Sequence, residues 1–465
     1  MLRLHDSARG RVVDVVPRDE GRFSMYVCGP TVYDLPHVGH GRAVLTWDVL
    51  RRWLTFRGLD VHHVANVTDI DDNIIDRATR DGRTEADVAA EFEGEWWAAM
   101  DALGALRPHQ TPHATDYVHE MVAVIDEMLS SRHAYRTSDG VYLDTSTVPD
   151  YGLLAGQPLD SLRAGARVEG SEEKRSPLDF VLWKAAKPGE PSWDAQFGQG
   201  RPGWHTECVV MSLALLGEDF DLHCGGQDLK FPHHENERAQ AEVLGRAFSR
   251  HWSHHGWVVV DGEKMSKSLQ NFTSLTDLLS RSDARAYRLL VLRAHYRAPF
   301  EVSGSTITDA ERALARLDAV ARRFELAPLD LSDPLAGVET VVSLPRDLAE
   351  QVAEFTSAME DDLDTPRAVA VLFTLATKAN ALADAGGDEA ALQAARVLRA
   401  LAGSVGLALD GSGTVLDAPT AALAEARDAA RARGDYAEAD RLRDRLEALG
   451  LVVEDSVEGT KVRRA

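Results

Sequence analysis

The chain has 465 residues and a formal net charge of −23, with 44% hydrophobic and 27% charged residues. That length suggests about two to four domains, and the composition is that of a globular protein able to bury ordinary cores. Three cysteines, Cys28, Cys208 and Cys224, argue against a disulfide framework and for a reducing compartment; no run of about 18 apolar residues exists to span a membrane, and Met1 to Arg11 carries no apolar signal segment.

The acidic balance taken alone argues against a nucleic-acid partner, but binding depends on local patches. Arginine supplies nearly all the basic residues, so a clustered lysine carries more information than an arginine.

Residues 23–28 (FSMYVC) read as a short strand running into the Gly29-Pro30 turn. A helical pattern follows, with Ala43, Trp47, Leu50 and Leu54 on one face, and Gly58 ends it. VHHVANV (61–67) reads as the next strand, so the order is βαβ with a parallel sheet. Helical stretches continue to about residue 130, and residues 1–130 form the first half of a Rossmann-like α/β domain. Residues 131–202, rich in Gly, Pro, Ser and short strand-like runs, read as a connective insertion. The second half, 203–262, contains FDLHCGG (220–226) and WVVVDG (257–262), each a strand ending in a turn. Residues 263–305 hold a lysine loop and a junction. Residues 306–405 are Ala- and Leu-rich, with Ala310, Leu314, Leu317 and Val320 at helical spacing, and predict a helix bundle. DGSGT (410–414) is a linker, and 415–465 is a small C-terminal module built on a helix pair around Gly434.

His37-Val38-Gly39-His40 falls where the first βα turn opens its helix. Ligands of such sheets bind at the carboxyl ends of strands, and a helix N-terminus favours phosphate. The two imidazoles share a face, and Gly39 lets a base approach the backbone. The alternative is a pair of surface histidines. Lys264-Met265-Ser266-Lys267-Ser268 follows the 257–262 strand. Two lysines on a loop can offset charge that develops in phosphoryl or nucleotidyl transfer; the alternative is a solvated basic loop.

HxGH on the first helix and KMSKS after a later strand resemble the paired signatures of class I aminoacyl-tRNA synthetases. Such enzymes join an amino acid to AMP, release pyrophosphate and pass the acyl group to tRNA.

His233 and Glu237 in PHHENE are i and i+4 and share a helix face, with Pro232 expected in the first turn. Cys28 ends the first strand and Cys208 lies in PGWHTEC. If the sheet halves assemble, these four could converge on one zinc ion. His205-Thr206-Glu207 matches the H-x-E of zinc deaminases, but P-C-x-x-C is absent.

Taken in order, MYVCGPTVYD, HVGH, NVTDIDD, PGWHTEC, FDLHCGGQDLKFPHHENE and GEKMSKS resemble the cysteinyl-tRNA synthetase family from about residue 23 to the C-terminus. The resemblance implies Cys28, Cys208, His233 and Glu237 as ligands of one Zn2+ that takes the substrate thiolate. It implies ATP with Mg2+ as substrate, bound by His37, Gly39, His40 and Lys267. His37 and His40 stabilise its phosphates, and Lys267, with Lys264 second, closes on the leaving pyrophosphate. Gly29, Thr68 and Trp204 shape the cysteine pocket. Asp69, Asp71 and Asp72 stay unassigned, with helix capping and surface charge as the plain alternative. Zinc is also a physical device: a soft thiolate binds it, whereas serine hydroxyl is far harder to ionise.

A cysteine ligase of mycothiol synthesis, which passes the same adenylate to an amino sugar, shares this core. The C-terminal region separates the two readings. AYRLLVLRAHYRAPF (286–300), Asp361 to Pro366 and the final Arg-rich stretch resemble the tRNA-contacting parts of the synthetase family. Arg431, Arg433, Arg441, Arg443 and Arg445 are candidate phosphate contacts. A non-catalytic RNA-binding descendant would not require both histidines, both lysines and four ligands. Expected partners are therefore tRNA(Cys), L-cysteine and ATP, with a monomeric, cytoplasmic protein. Two departures stand out. Cys224 occupies a position where glycine is commoner, which leaves open a third thiol near the metal, and Gln270 likewise replaces glycine. Val462 stands where the family often has tryptophan.

Overall fold

Strand β1 (Arg22–Val27), helix α1 (Val38–Phe56) and strand β2 (Asp60–Ala65) form the predicted βαβ unit. Helix α2 (Trp204–Leu216), strand β3 (Phe220–Gly226), helix α3 (Glu235–Val243) and strand β4 (Ser249–His255) supply the second half. The four strands are parallel in the order β4-β3-β1-β2. The two halves wind outward from the β1/β3 pair, so the crevice at its carboxyl end is the topological switch point. The computed structural model describes residues 1–156, 173–260, 263–264, 274–411, 418–449, 451–456 and 459–464, with the side chains of residues 260, 263, 264, 418, 419, 421, 454–456, 459, 461, 463 and 464 outside that description.

One strand differs from the sequence reading. The fourth main-sheet strand is β4, SRHWSHH, whereas Val258–Val260 joins a separate small sheet with Glu263–Lys264 and Phe300–Glu301. Five consecutive β4 residues, His251 to His255, are buried, so histidines stand where a hydrophobic run was expected. Pro232 also sits earlier than expected, in a wide turn, Lys230–His234, that precedes α3.

Helix α1 covers one sheet face and continues into the core of the helical region. Its Asp48 and Arg52 are buried and ion-paired at 2.9 Å, and Arg288 donates to the same carboxylate at 2.6 Å. Arg288 also reaches Leu103 O and Val405 O, so these charges tie α1 to the bundle. The opposite face packs on α2 through Tyr26, Cys208, Val209 and Phe220. A four-stranded antiparallel sheet (Ala134–Thr137, Gly140–Leu143, Phe180–Ala185, Gly200–Pro202) lies between the halves in sequence. Beyond it, helices Gly304–Arg323, Arg346–Glu360, Thr365–Asp384 and Asp388–Gly403 pack as a bundle. The C-terminal part has helices Ala418–Ala432 and Tyr436–Ala448 and an antiparallel hairpin, Leu451–Ser456 with Gly459–Arg464, where Val462 pairs with Val453 and is buried.

Candidate active site and metal centre

A cavity of about 570 Å³ occupies the switch point, and Cys28, Gly29, His37, Gly39, His40 and Trp204 all line it. His37 is the N-cap of α1, and the two histidines form a reciprocal capping box with stacked rings 3.6 Å apart. His40 N–H donates to His37 Nδ1 at 3.1 Å, and His37 N–H to His40 Nδ1 at 3.3 Å. With both Nδ1 atoms accepting, each neutral ring carries its proton on Nε2. The helix start thus presents imidazole N–H donors as well as backbone dipole to an anion.

Gly29 meets a tight spot: a Cβ there would lie 1.6 Å from Asn66 O. Its N–H donates to Asn66 Oδ1 at 2.9 Å, and Asn66 lines the cavity. Thr68 is fully buried instead. Its hydroxyl donates to Glu207 at 2.7 Å and accepts from Asn66 Nδ2 at 3.3 Å. On the far wall, Gly226 is packed so closely on Asp228 that a Cβ would meet Oδ1 at 2.2 Å. Asp228 adds a carboxylate that the sequence reading missed. Arg42, buried in α1, donates to Trp257 O at 2.6 Å and Tyr296 O at 2.9 Å, and so fixes the wall that carries Trp257 and Val258.

Lys264 is a strand residue paired with Val259. Its side chain, all of Lys267 and Gln270 lie outside the described residues.

Cys28, Cys208, His233 and Glu237 converge, with their donor atoms all within 4.8 Å of one another. The two sulfurs are 3.6 Å apart; His233 Nε2 lies 3.6 Å from Cys208 Sγ and 3.0 Å from Glu237 Oε1. Burial, then Cys208 and Glu237, pushes the Cys28 thiol well above its ordinary range, and burial chiefly pushes Cys208 up to about 11. Such crowding favours neutral thiols unless a cation sits among them, and two sulfurs, an imidazole and a carboxylate are a donor set that suits zinc. Trp204 stacks on His233 at 4.0 Å, which places it beside this cluster.

Cys28, His223, His234 and Glu237 form a second, overlapping group at the same spacing. Proton accounting favours the first group. His233 Nδ1 is 2.9 Å from His205 Nδ1, so an N–H donated there leaves Nε2 as a metal-facing lone pair. Burial holds both rings below their ordinary range, hence neutral, His205 at about 3. His223 Nε2 is 2.7 Å from Glu237 Oε2, while its Nδ1 has no partner. As a ligand it would bury an unpaired N–H; as a donor to Glu237 it leaves only an acceptor unpaired. His234 extends a relay in which Ser7 Oγ–H donates to His254 (2.7 Å), His254 to His234 (2.9 Å) and His234 Nε2–H to Cys28 Sγ (3.3 Å). These outer partners were not read from the sequence, although His234 adjoins His233 and His205 adjoins Trp204.

Cys224 packs on the α1 face with Met25, Val27 and Leu222 and belongs to neither group. Asp71 caps the helix Asp72–Asp81, Asp69 accepts from Thr115, and Asp72 pairs with Lys184 and Arg201.

Residues 14–312 match the tRNA synthetases class I (C) catalytic domain. A Mycobacterium tuberculosis methionyl-tRNA synthetase bound by methionyl-adenylate aligns with a TM-score of 0.62 at 15% identity, over 83% of this chain and 92% of that one. The Agrobacterium radiobacter LeuRS–tRNA–LeuAMS ternary complex aligns with a TM-score of 0.61 at 12% identity, over 84% and 85%. The architecture is that of a class I aminoacyl-tRNA synthetase. Residues 354–410 match the DALR domain and 414–463 the cysteinyl-tRNA ligase anticodon binding domain. Cysteine--tRNA ligases of Chromobacterium violaceum and Alkalilimnicola ehrlichii are 44% and 43% identical, each over 100% of both chains. The chain belongs to the cysteine--tRNA ligase family. Among the described residues, no helix is long and apolar enough to cross a membrane.

Proposed function

We propose that this chain activates L-cysteine with ATP to cysteinyl-adenylate and transfers the cysteinyl group to the 3′ end of tRNA(Cys). The observation that carries the reading is the convergence of Cys28, Cys208, His233 and Glu237 next to the cavity, which Cys28 lines together with His37 and His40 of the helix start. Zinc bound by those four residues would take the substrate thiol as a thiolate, a bond that serine makes poorly.

The chain's own residues supply the rest. Trp204 and Gly29 shape the pocket beside the thiol, with Thr68 acting through Asn66 and Glu207. The cavity carboxylate of Asp228 suits the substrate ammonium. His37 and His40 donate Nε2–H to ATP phosphates, and Gly39 leaves room for the base. Lys267, with Lys264 second, offsets charge on the departing pyrophosphate, and Mg2+ accompanies the nucleotide. The carboxylate attacks the α-phosphate in line, a reaction that needs positioning and charge stabilisation more than an acid or base. The DALR and anticodon-binding matches favour tRNA over an amino-sugar acceptor. Residues 415–465 recognise the anticodon, and the protein works as a cytoplasmic monomer.

The test supplies metal-replete protein with ATP, cysteine and either total tRNA or glucosaminyl-inositol. Cysteine-dependent exchange of pyrophosphate into ATP and acylation of tRNA are expected. Acylation of the sugar alone, or absence of exchange, would overturn the reading.

A further inference from the structure

His255 offers the cavity an acceptor that nothing in the chain uses. It is the last residue of β4, is 7% exposed, and lines the switch-point cavity with its ring centre 6.3 Å from that of Trp47 on α1. Its Nδ1 is 2.9 Å from Gly256 O, and a carbonyl only accepts, so the ring carries its proton on Nδ1. Burial, then Arg42, lowers the ring's pKa to about 4, so it is neutral near pH 7. Nε2 is therefore a lone pair. It has no hydrogen-bond partner among the described residues, and unlike both His63 nitrogens it is not sealed off in the core. A largely buried acceptor left open to a cavity takes its donor from whatever fills that cavity.

The order of the strands places this acceptor along the bound molecule. In the sheet order β4-β3-β1-β2, Cys28 follows β1, Gly226 ends β3 just before Asp228, and His255 ends β4. The proposed site reads cysteinyl-adenylate in the same direction, with the thiol beside Cys28 and the ammonium at Asp228. The phosphates go to His37 and His40, and the base to Gly39. The ribose hydroxyls are the polar part of the adenylate still without a partner, and His255 lies one strand beyond Gly226. A Cβ on Gly226 would meet Asp228 Oδ1 at 2.2 Å and His255 Cε1 at 3.3 Å, so the carboxylate and the imidazole flank one stretch of bare backbone. A sugar can lie against such a stretch, and its O–H groups are donors that match a lone pair. A fully ionised phosphate group brings only acceptors and does not match it.

We infer that His255 Nε2 accepts a hydrogen bond from a ribose hydroxyl of ATP, and so sets the preference of the site for a ribonucleotide over a deoxyribonucleotide. The inference rests on the adenylation reading above and deepens it, by naming a residue that reads the sugar.

The experiment measures cysteine-dependent pyrophosphate exchange with ATP, 2′-deoxy-ATP, 3′-deoxy-ATP and purine riboside triphosphate, which lacks the base amino group. It compares the zinc-loaded full chain with its His255→Asn and His255→Gln variants. The Asn amide can keep the donor to Gly256 O but is too short to replace Nε2, whereas the longer Gln amide can set its oxygen near that position. Wild type should prefer ATP to at least one deoxynucleotide by about 10-fold in kcat/KM, chiefly through KM. His255→Asn should lose that preference, its use of ATP falling to the level of the deoxynucleotide, and His255→Gln should keep part of it. Wild type that uses both deoxynucleotides as well as ATP would overturn the inference, whatever the variants do. So would an Asn variant that loses ATP and deoxynucleotide use in equal proportion, the mark of a merely structural role. A variant whose loss disappears only with purine riboside triphosphate would overturn it too, since the base amino group would then be what His255 meets. Wild type without exchange on ATP would instead sink the reading on which the inference rests.

Discussion

Replacing His63 by leucine should stabilise the protein in acid far more than at alkaline pH. His63 lies on β2, is buried at 7% exposure on the wall of the switch-point cavity, and neither of its ring nitrogens has a hydrogen-bond partner among the described residues. Burial first, then Arg51 and His109, lowers its pKa from 6.5 to about 3. A folded-state pKa below the unfolded value means that the unfolded chain binds a proton which the folded chain refuses. The stability linked to this group is therefore complete above about pH 6.5 and is lost progressively as the pH falls toward about 3. At about pH 5 the loss works out at about 2 kcal/mol, against almost nothing at about pH 8. Leucine has no proton to take up, so the variant should gain that difference in acid. It also removes a buried unpaired N–H at either pH, worth about 1–3 kcal/mol before any packing loss.

The assay is urea unfolding of both proteins at the two pH values, followed by tryptophan fluorescence, since Trp47 and Trp53 are buried on α1 beside this sheet. The remaining ionisable groups are common to both proteins, so they cancel in the double difference. A gap between the two proteins that is the same at both pH values would show that His63 titrates normally, and the argument from burial would be wrong.

Asp48→Asn leaves Arg52 and Arg288 buried without their shared carboxylate. It should cost about 3–5 kcal/mol, measurable as a lower urea midpoint, and a neutral result would mean that backbone carbonyls alone satisfy the two guanidinium groups. Gly29→Ala places a Cβ against Asn66 O and should lower cysteine-dependent pyrophosphate exchange at least tenfold with little loss of zinc; full activity would show that the turn shifts freely. Cys208→Ser should lower bound zinc, read by metal analysis after dialysis, and weaken discrimination against serine in adenylate formation. If the zinc-loaded wild type activated serine nearly as well as cysteine, the metal would not be the selectivity device.

The readable parts of the site share one property: their chemistry lies in local spacing. His37 and His40 fall at a βα turn, and His233 and Glu237 one helical turn apart. Cys28 is found because it follows a strand. Thr68 belongs to the pocket with the motif that contains it, but Asn66, two residues earlier, carries the wall while Thr68 holds Glu207, a difference that local spacing does not show. The outer partners are harder still, since each pairs residues far apart in sequence: Ser7 with His254, His223 with Glu237, His205 with His233.

The unread strand β4 and the unread outer partners have one physical cause. SRHWSHH scores as polar, yet its Ser253, His254 and His255 are buried, with burial lowering His255 to about 4 and His254 well below the usual range. A neutral imidazole is a flat, mostly carbon ring with one donor and one acceptor, so it fills a core and wires it at once. Hydropathy patterns price histidine as a surface residue and fail where several are packed together. Here they are packed behind the Cys28, Cys208, His233 and Glu237 cluster, and the positions where local rules break are the ones that orient its side chains.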